Sequence, residues 1–232
     1  MQLSQRLKAV ADTVTTGNRV ADVGCDHAYI SIYLIKNNIA PGVIAMDINK
    51  GPLQRAKENI NNLGLSNRIQ TRLSDGLQEL EPGEADTILI AGMGGALTIK
   101  ILEEGLKAVK RSAELILQPQ SEIHLVRKFL HRIGYDIKKE QMIKEDGKYY
   151  FILKATPEPE ITCYDREVFY QYGKLLLERQ EPLMLEYLER DNRIRNDVKA
   201  ELLINPTKKA LERLAEVNQE IVYINEALSY FE

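Results

Sequence analysis

Three chemically active side chains follow a single glycine. In "RVADVGCDHAYI", residues 19–30, Gly24 is followed by Cys25, Asp26 and His27, with Tyr29 two places on. A thiol, a carboxylate and an imidazole at one turn suggest nucleophilic, proton-transfer or metal chemistry. Helix N-termini lower a thiol pKa, but no base is spaced to activate Cys25, which reads as a small filler. His27 reads as a general base or as a cap on the helix that follows. No Cys/His spacing in the chain builds a structural zinc site, so no metal is expected. Further along come Asp47, 23 residues after Gly24, then Asp75-Gly76, Gly92-Met93-Gly94-Gly95 and Gln118-Pro119-Gln120.

These residues need a scaffold that gathers distant segments. From 19 to 156, strand-like and helix-like stretches alternate. "RVADVG", "GVIAMD", "RIQTRL", "ADTILIAG" and "AELILQ" read as strands. "HAYISIYLIKNN", "NKGPLQRAKENINNLGL", "GALTIKILEEGLKAV" and "SEIHLVRKFLHRIG" read as helices, the second ending near Gly64 and the last at Gly134. "YDIKKEQMIKED" and "KYYFILKAT" predict a closing hairpin that turns at Asp146-Gly147. Alternation implies an α/β fold with a parallel sheet between helices. Ligands of such sheets bind beyond the C-terminal strand ends, where all the clusters above fall.

Asp47 ends the second strand, where a carboxylate can accept both hydroxyls of a ribose. Asp75-Gly76 suits the edge of a nucleoside base, with one side-chain acceptor and one backbone donor. Both features fit a nicotinamide dinucleotide and S-adenosylmethionine equally well. The first turn separates the two. A dinucleotide needs its pyrophosphate on bare backbone N–H groups at a helix start. Asp22 and Asp26 bracket this turn and would repel it, and the G-x-G-x-x-G pattern is absent. S-adenosylmethionine carries no phosphate, and its ammonium and sulfonium are cations that an acidic turn favours.

Of the 232 residues 44% are apolar, enough for a substantial core. No apolar run reaches the length of a membrane span. "MQLSQRLKAVADTV" reads as an amphipathic helix, with Leu3, Leu7, Val10 and Val14 on one side, rather than as a secretion signal. Cys25 and Cys163, far apart, predict free thiols in a reducing, cytoplasmic setting. "PEPE" at 157–160 predicts a stiff linker dividing residues 1–156 from a helical 157–232. In that tail Leu211, Leu214, Val217, Ile221, Ile224 and Leu228 approach a coiled-coil seam. Tyr164, Val168, Tyr172, Leu175 and Leu176 begin another stripe. Pro182 predicts a helix start and Asn205-Pro206 a stop. The tail thus reads as a hairpin of two or three helices in a monomer, with a dimerising coiled coil as the alternative.

The net charge of -3 argues against nucleic acid as a whole-surface partner. The charge is uneven, however. Residues 98–154 hold 12 Lys/Arg against 8 Asp/Glu. Lys107, Lys110, Arg111, Arg127, Lys128 and Arg132 cluster there, Arg6 and Lys8 lie near the N-terminus, and Arg190, Arg193, Arg195 and Lys199 recur at near-helical spacing. They predict a basic track; solvated helix faces are the alternative.

"DVGCDHAYI" with "IAGMGG", supported by "AMDIN", "SDGL" and "LILQPQ", resembles the bacterial tRNA (adenine-N1)-methyltransferases that act on the adenine at tRNA position 22. The resemblance spans nearly the whole chain. It implies a class I, Rossmann-like methyltransferase sheet with a helical, coiled-coil-like C-terminal domain, and S-adenosylmethionine as methyl donor; from the basic residues above, that domain is expected to grip the tRNA body. By resemblance Gly24, Cys25, Asp26 and His27 surround the methionine end. Asp47 holds the ribose, Ile48 and Asn49 flank the adenine ring, and Asp75 and Gly76 meet its edge. Gly92, Met93 and Gly94 form the floor near the methyl. Two positions depart from the family's pattern: Cys25 stands where Ser or Thr is usual, and Gln120 where Asn is. For such a target, Tyr29 is the expected stacking platform for the base. Asp26 is expected to stabilise the cationic product or take its proton. Another RNA, a small molecule or a protein as substrate are alternatives, as is a non-catalytic RNA-binding protein; an intact Asp26, Asp47 and Asp75 argue against the last.

Overall fold

In a computed structural model the described residues are 3–160, 163–204 and 207–232. They form two compact units, Met1–Thr162 and Cys163–Glu232.

The first unit is built on the apolar strand runs. Strands β1 (Val20–Val23), β2 (Val43–Asp47), β3 (Ile69–Leu73), β4 (Thr87–Met93), β5 (Glu114–Pro119), β6 (Tyr135–Glu145) and β7 (Lys148–Pro157) form one sheet in the order β3-β2-β1-β4-β5-β7-β6. Strands β1 to β5 pair in parallel, while β7 pairs antiparallel with β5 and with β6. Strand β1 is buried throughout, as a central strand with helices on both faces must be. The hairpin turns at Asp146 (φ 50°) and Gly147 (φ 73°), two left-handed residues as a two-residue turn requires.

Helices α1 (Gln5–Asp12), α2 (Tyr29–Lys36), α3 (Lys50–Asn62), α4 (Gly95–Glu104), α5 (Leu106–Val109) and α6 (Ile123–Arg132) cover the sheet. Val10, Leu34, Ile35 and Ile60 from the helices meet Val20, Ala45, Leu89 and Ile116 from the sheet in one core. Each of these Val, Leu and Ile side chains contributes about 1.5–3 kcal/mol on burial. Helix α1 is capped by Ser4, whose hydroxyl accepts from the Leu7 N–H.

Two helices differ from expectation. Helix α2 starts at Tyr29 rather than His27, because Asp26 (φ 49°) and Ala28 (φ 60°) are left-handed and cannot lie inside a right-handed helix. The expected single helix after β4 breaks at Gly105, where any side chain would collide with Leu77. "PEPE", expected as a stiff linker, is tied to the first unit at its start. Pro157 ends β7, and the Glu158 N–H donates to the Gly134 carbonyl.

The second unit contains four helices among the described residues, one more than the largest number expected: α7 (Glu167–Tyr172), α8 (Lys174–Glu178), α9 (Pro182–Ile204) and α10 (Lys208–Leu228). Gly173 (φ 92°) separates the first two. Pro182 opens α9 as predicted. The Asn205-Pro206 stop lies outside the described residues. Val217 and Ile224 of the predicted seam are buried, but Leu211 is exposed. Arg195 bridges α9 to Glu220 of α10. No helix among the described residues is long and apolar enough to cross a membrane.

Candidate active site

A cavity of about 500 Å³ opens at the C-terminal ends of β1, β2 and β4. Its first wall is the turn after β1. Gly24 (φ 73°) is held by its N–H on the Met46 carbonyl, and a side chain there would collide with Met93 Cε. Cys25 lines the wall with its thiol buried; burial and the carboxylates of Asp22, Asp47 and Asp26 push its pKa well up. The thiol stays protonated, which leaves it as packing rather than as a nucleophile.

Asp47 stitches two turns together. One carboxylate oxygen accepts the Asp26 N–H at 3.3 Å and the other the Asn49 N–H at 2.8 Å. Asp47, Ile48 and Asn49 all line the cavity. So do Asp75 and Gly76, whose loop is tied by Ser74: its hydroxyl donates to the Gly76 carbonyl and accepts the Glu79 N–H. Gly92 and Met93, the last two residues of β4, form another wall.

Asp26 lines the cavity as expected, whereas His27 and Gly94 do not. The Asp26 carboxylate is 67% exposed at the rim and 3.4 Å from the His27 imidazole. His27 is absent from the cavity wall; its ring stacks on Tyr29, with centroids 5.2 Å apart and 9° between planes. Tyr29 does line the cavity, so the imidazole backs the phenol ring. Gly94 also lies off the wall, as the residue preceding α4. The neighbouring Gly95 and Ala96 N–H groups donate to the Ser121 hydroxyl and the Glu122 carboxylate, which pins the loop after β4 to the loop after β5.

Residues 3–153 match the methyltransferase-domain family. Over 165 residues the chain is 41% identical to the tRNA (adenine(22)-N(1))-methyltransferase of Bacillus subtilis, covering 71% of this chain and 69% of that one. The chain belongs to the tRNA (adenine(22)-N(1))-methyltransferase family. A Streptococcus pneumoniae structure in complex with S-adenosyl-L-methionine superposes with a TM-score of 0.86 at 32% identity, covering 98% of this chain and all of that one. A Mycoplasma capricolum structure with S-adenosyl-homocysteine gives 0.87 at 27% identity, with both chains covered completely.

Several wall residues of this methyltransferase carried no signal in its motifs. Arg6 and Leu7 of α1 line the cavity, as do Leu97 and Ile101 of α4. A basic residue beside the apolar stripe of an N-terminal helix was the only hint of Arg6. The basic track also changes. Arg127 is fully buried on the inner side of α6, bonded to the Glu140 carboxylate at 2.8 Å and lying over Phe151, so it faces no ligand. Lys8, Arg132 and Arg195 pair with Asp12, Glu103 and Glu220. Lys107, Lys110, Arg111, Lys128, Arg190 and Arg193 remain exposed.

Asp22 is the most perturbed acid of the site. Burial raises its carboxyl to about 6, opposed by the Ser31 hydroxyl, which donates to it at 2.6 Å, and reinforced by Asp47. A raised acid destabilises the fold once ionised: the cost enters as pH rises from the unfolded value of about 4 through 6. It amounts to about 3 kcal/mol at most. Asp22→Asn, which keeps an acceptor for Ser31, should therefore raise the melting temperature of the cofactor-free protein at pH 8. A cation in the cavity favours the carboxylate, so calorimetry should show cofactor affinity falling up to tenfold per unit as pH drops below 6. Asp22→Asn should flatten that profile.

Proposed function

We infer that the protein transfers a methyl group from S-adenosylmethionine to N1 of the adenine at position 22 of tRNA. The observation that carries this is family membership through a relative of that activity at 41% identity. The cavity fits the donor on its own chemistry. Its wall holds the carboxylates of Asp22 and Asp47 and, at the rim, Asp26, which suit a cation and hydroxyls rather than phosphate. Among the described residues no group of acids, His or Cys is placed to hold a metal.

The donor supplies an electrophilic methyl on a sulfonium. The chain's own task is placement. Adenine N1 is neutral at pH 7 with a free lone pair, so the reaction needs alignment more than a strong base. Asp47 would hold the ribose hydroxyls and Asp75-Gly76 the cofactor's base edge, while Asp22 would face the ammonium. The target base must leave its helix to expose N1, and Tyr29, backed by His27, is its proposed stacking face. Asp26 would stabilise the positive charge that reaches the ring. At an exposed rim that is worth about 1 kcal/mol, so Asp26→Ala should lower kcat at saturating cofactor by roughly fivefold. An unchanged kcat would remove Asp26 from the mechanism.

The helical unit is proposed to grip the tRNA body through Arg193 and Lys199. Replacing both by alanine should weaken tRNA binding and reduce its salt slope by roughly 0.7–0.9 per lost phosphate contact. Unmodified tRNA incubated with protein and methyl-labelled donor should yield 1-methyladenosine on nucleoside mass spectrometry. Label in another nucleoside, or none, would overturn the assignment.

A further inference from the structure

We propose that Arg6 and Gln120 seat the target adenine by its N6/N7 edge. The proposal rests on the adenine-N1 reading above and adds residues to it.

Arg6 reaches the cavity from α1 and is fixed there by two neutral groups. Its Nη1 donates to Gln118 Oε1 at 2.7 Å, and its guanidinium carbon lies 5.3 Å over the Tyr150 ring. Gln118 is buried, and its Nε2 donates to the Pro119 carbonyl at 3.3 Å. A buried amide thus has both ends occupied in holding a guanidinium at the cavity wall. Bonded to an amide and an aromatic face rather than to a carboxylate, Arg6 keeps its charge and further N–H donors for a ligand. The hairpin gains a role here, because Tyr150 of β7 forms one side of the clamp.

Gln120 stands beside it. Its N–H donates to the Met93 carbonyl at 2.8 Å, which fixes the backbone to the end of β4, while its side chain is exposed. Both head groups converge on Gly92. A Cβ built at Gly92 would lie 3.7 Å from Arg6 Nη1 and 3.8 Å from Gln120 Nε2. Gly92 (φ 80°) leaves that space open where the methyl-transfer floor is expected.

Adenine attacked through N1 cannot use N1 for recognition. The adjacent free edge offers the N6 amine as donor and N7 as acceptor, the pair that distinguishes adenine from guanine. A carboxamide oxygen can accept from N6; a guanidinium only donates and so matches N7. Arg6 supplies the donor, and Gln120, whose Nε2 faces Gly92, supplies the acceptor once its carboxamide turns its oxygen inward.

The test uses tRNA ligated with 7-deazaadenine at position 22, which deletes the N7 acceptor. Wild-type protein should lose roughly tenfold or more in kcat/KM on it relative to ordinary tRNA. Arg6→Ala should lose a similar factor on ordinary tRNA and no longer distinguish the two substrates. Comparing ratios between proteins cancels any change in N1 basicity. Gln120→Ala, at an exposed side chain, should lower kcat/KM with S-adenosyl-homocysteine affinity unchanged. Equal wild-type rates on both tRNAs, or the same ratio retained by Arg6→Ala, would overturn the Arg6 contact, and normal kcat/KM in Gln120→Ala the Gln120 contact. Should Arg6→Ala not fold, Arg6→Met, which keeps an apolar stem over Tyr150 but no donor, supplies the second ratio. Failure to methylate ordinary tRNA would instead strike the underlying reading.

Discussion

Asp47→Ala should weaken binding of S-adenosylmethionine by on the order of 100-fold or more. The carboxylate has two oxygens, and each already organises one turn of the cavity through the N–H of Asp26 or Asn49. Its remaining lone pairs are the proposed acceptors for two ribose hydroxyls. Hydrogen bonds to a charged group are worth about 1.5–3 kcal/mol each, and every 1.4 kcal/mol is a factor of ten. Two lost together account for the expected size. Asp47→Asn keeps one acceptor and should fall between wild type and alanine. Because the side chain is nearly buried, loss of order in the two turns should add to the effect. Calorimetric titration with S-adenosyl-homocysteine measures it. An alanine variant with unaltered affinity would place the ribose elsewhere.

Tyr29→Ala should lower kcat/KM for tRNA by roughly 10- to 100-fold while changing cofactor affinity little. Stacking a base on an aromatic side chain is worth about 1–3 kcal/mol. The Tyr29 ring lines the cavity with one face supported by His27. Tyr29→Phe retains the ring and should retain most of the activity, since the proposed role needs the face and not the hydroxyl. His27→Ala removes only the support and should cost less than Tyr29→Ala. If phenylalanine were as damaging as alanine, the hydroxyl rather than the stack would be at work. Single-turnover assays with saturating donor separate these effects from cofactor binding.

The central strands β1, β2, β4 and β5 were legible because each is a short, mostly apolar run buried between helices. The Asp146-Gly147 turn was legible because few residue pairs adopt two left-handed conformations. The start of α2 was not, since nothing local announces that Asp26 and Ala28 turn left-handed. The need for glycine at position 105 follows from the position of Leu77, 28 residues away in sequence. Arg127 shows the same limit: its charge was visible, but its direction into the core toward Glu140 was not. Arg6 enters the site because β5 and the hairpin hold its side chain there, a tertiary arrangement that no motif records. The cavity-lining residues legible in the sequence were those at the strand ends themselves, such as Asp47 at the end of β2 and Asp75-Gly76 after β3. His27, conspicuous in the motif, contributes behind the cavity wall instead.

The most direct test of the central claim maps the methyl group. Primer extension on tRNA treated with the protein and S-adenosylmethionine should stop at position 22 alone, because a methyl on N1 blocks pairing. The stop and the incorporated label should both vanish when adenine 22 is replaced by guanine. A stop at another position, or label that persists after the replacement, would contradict the assignment.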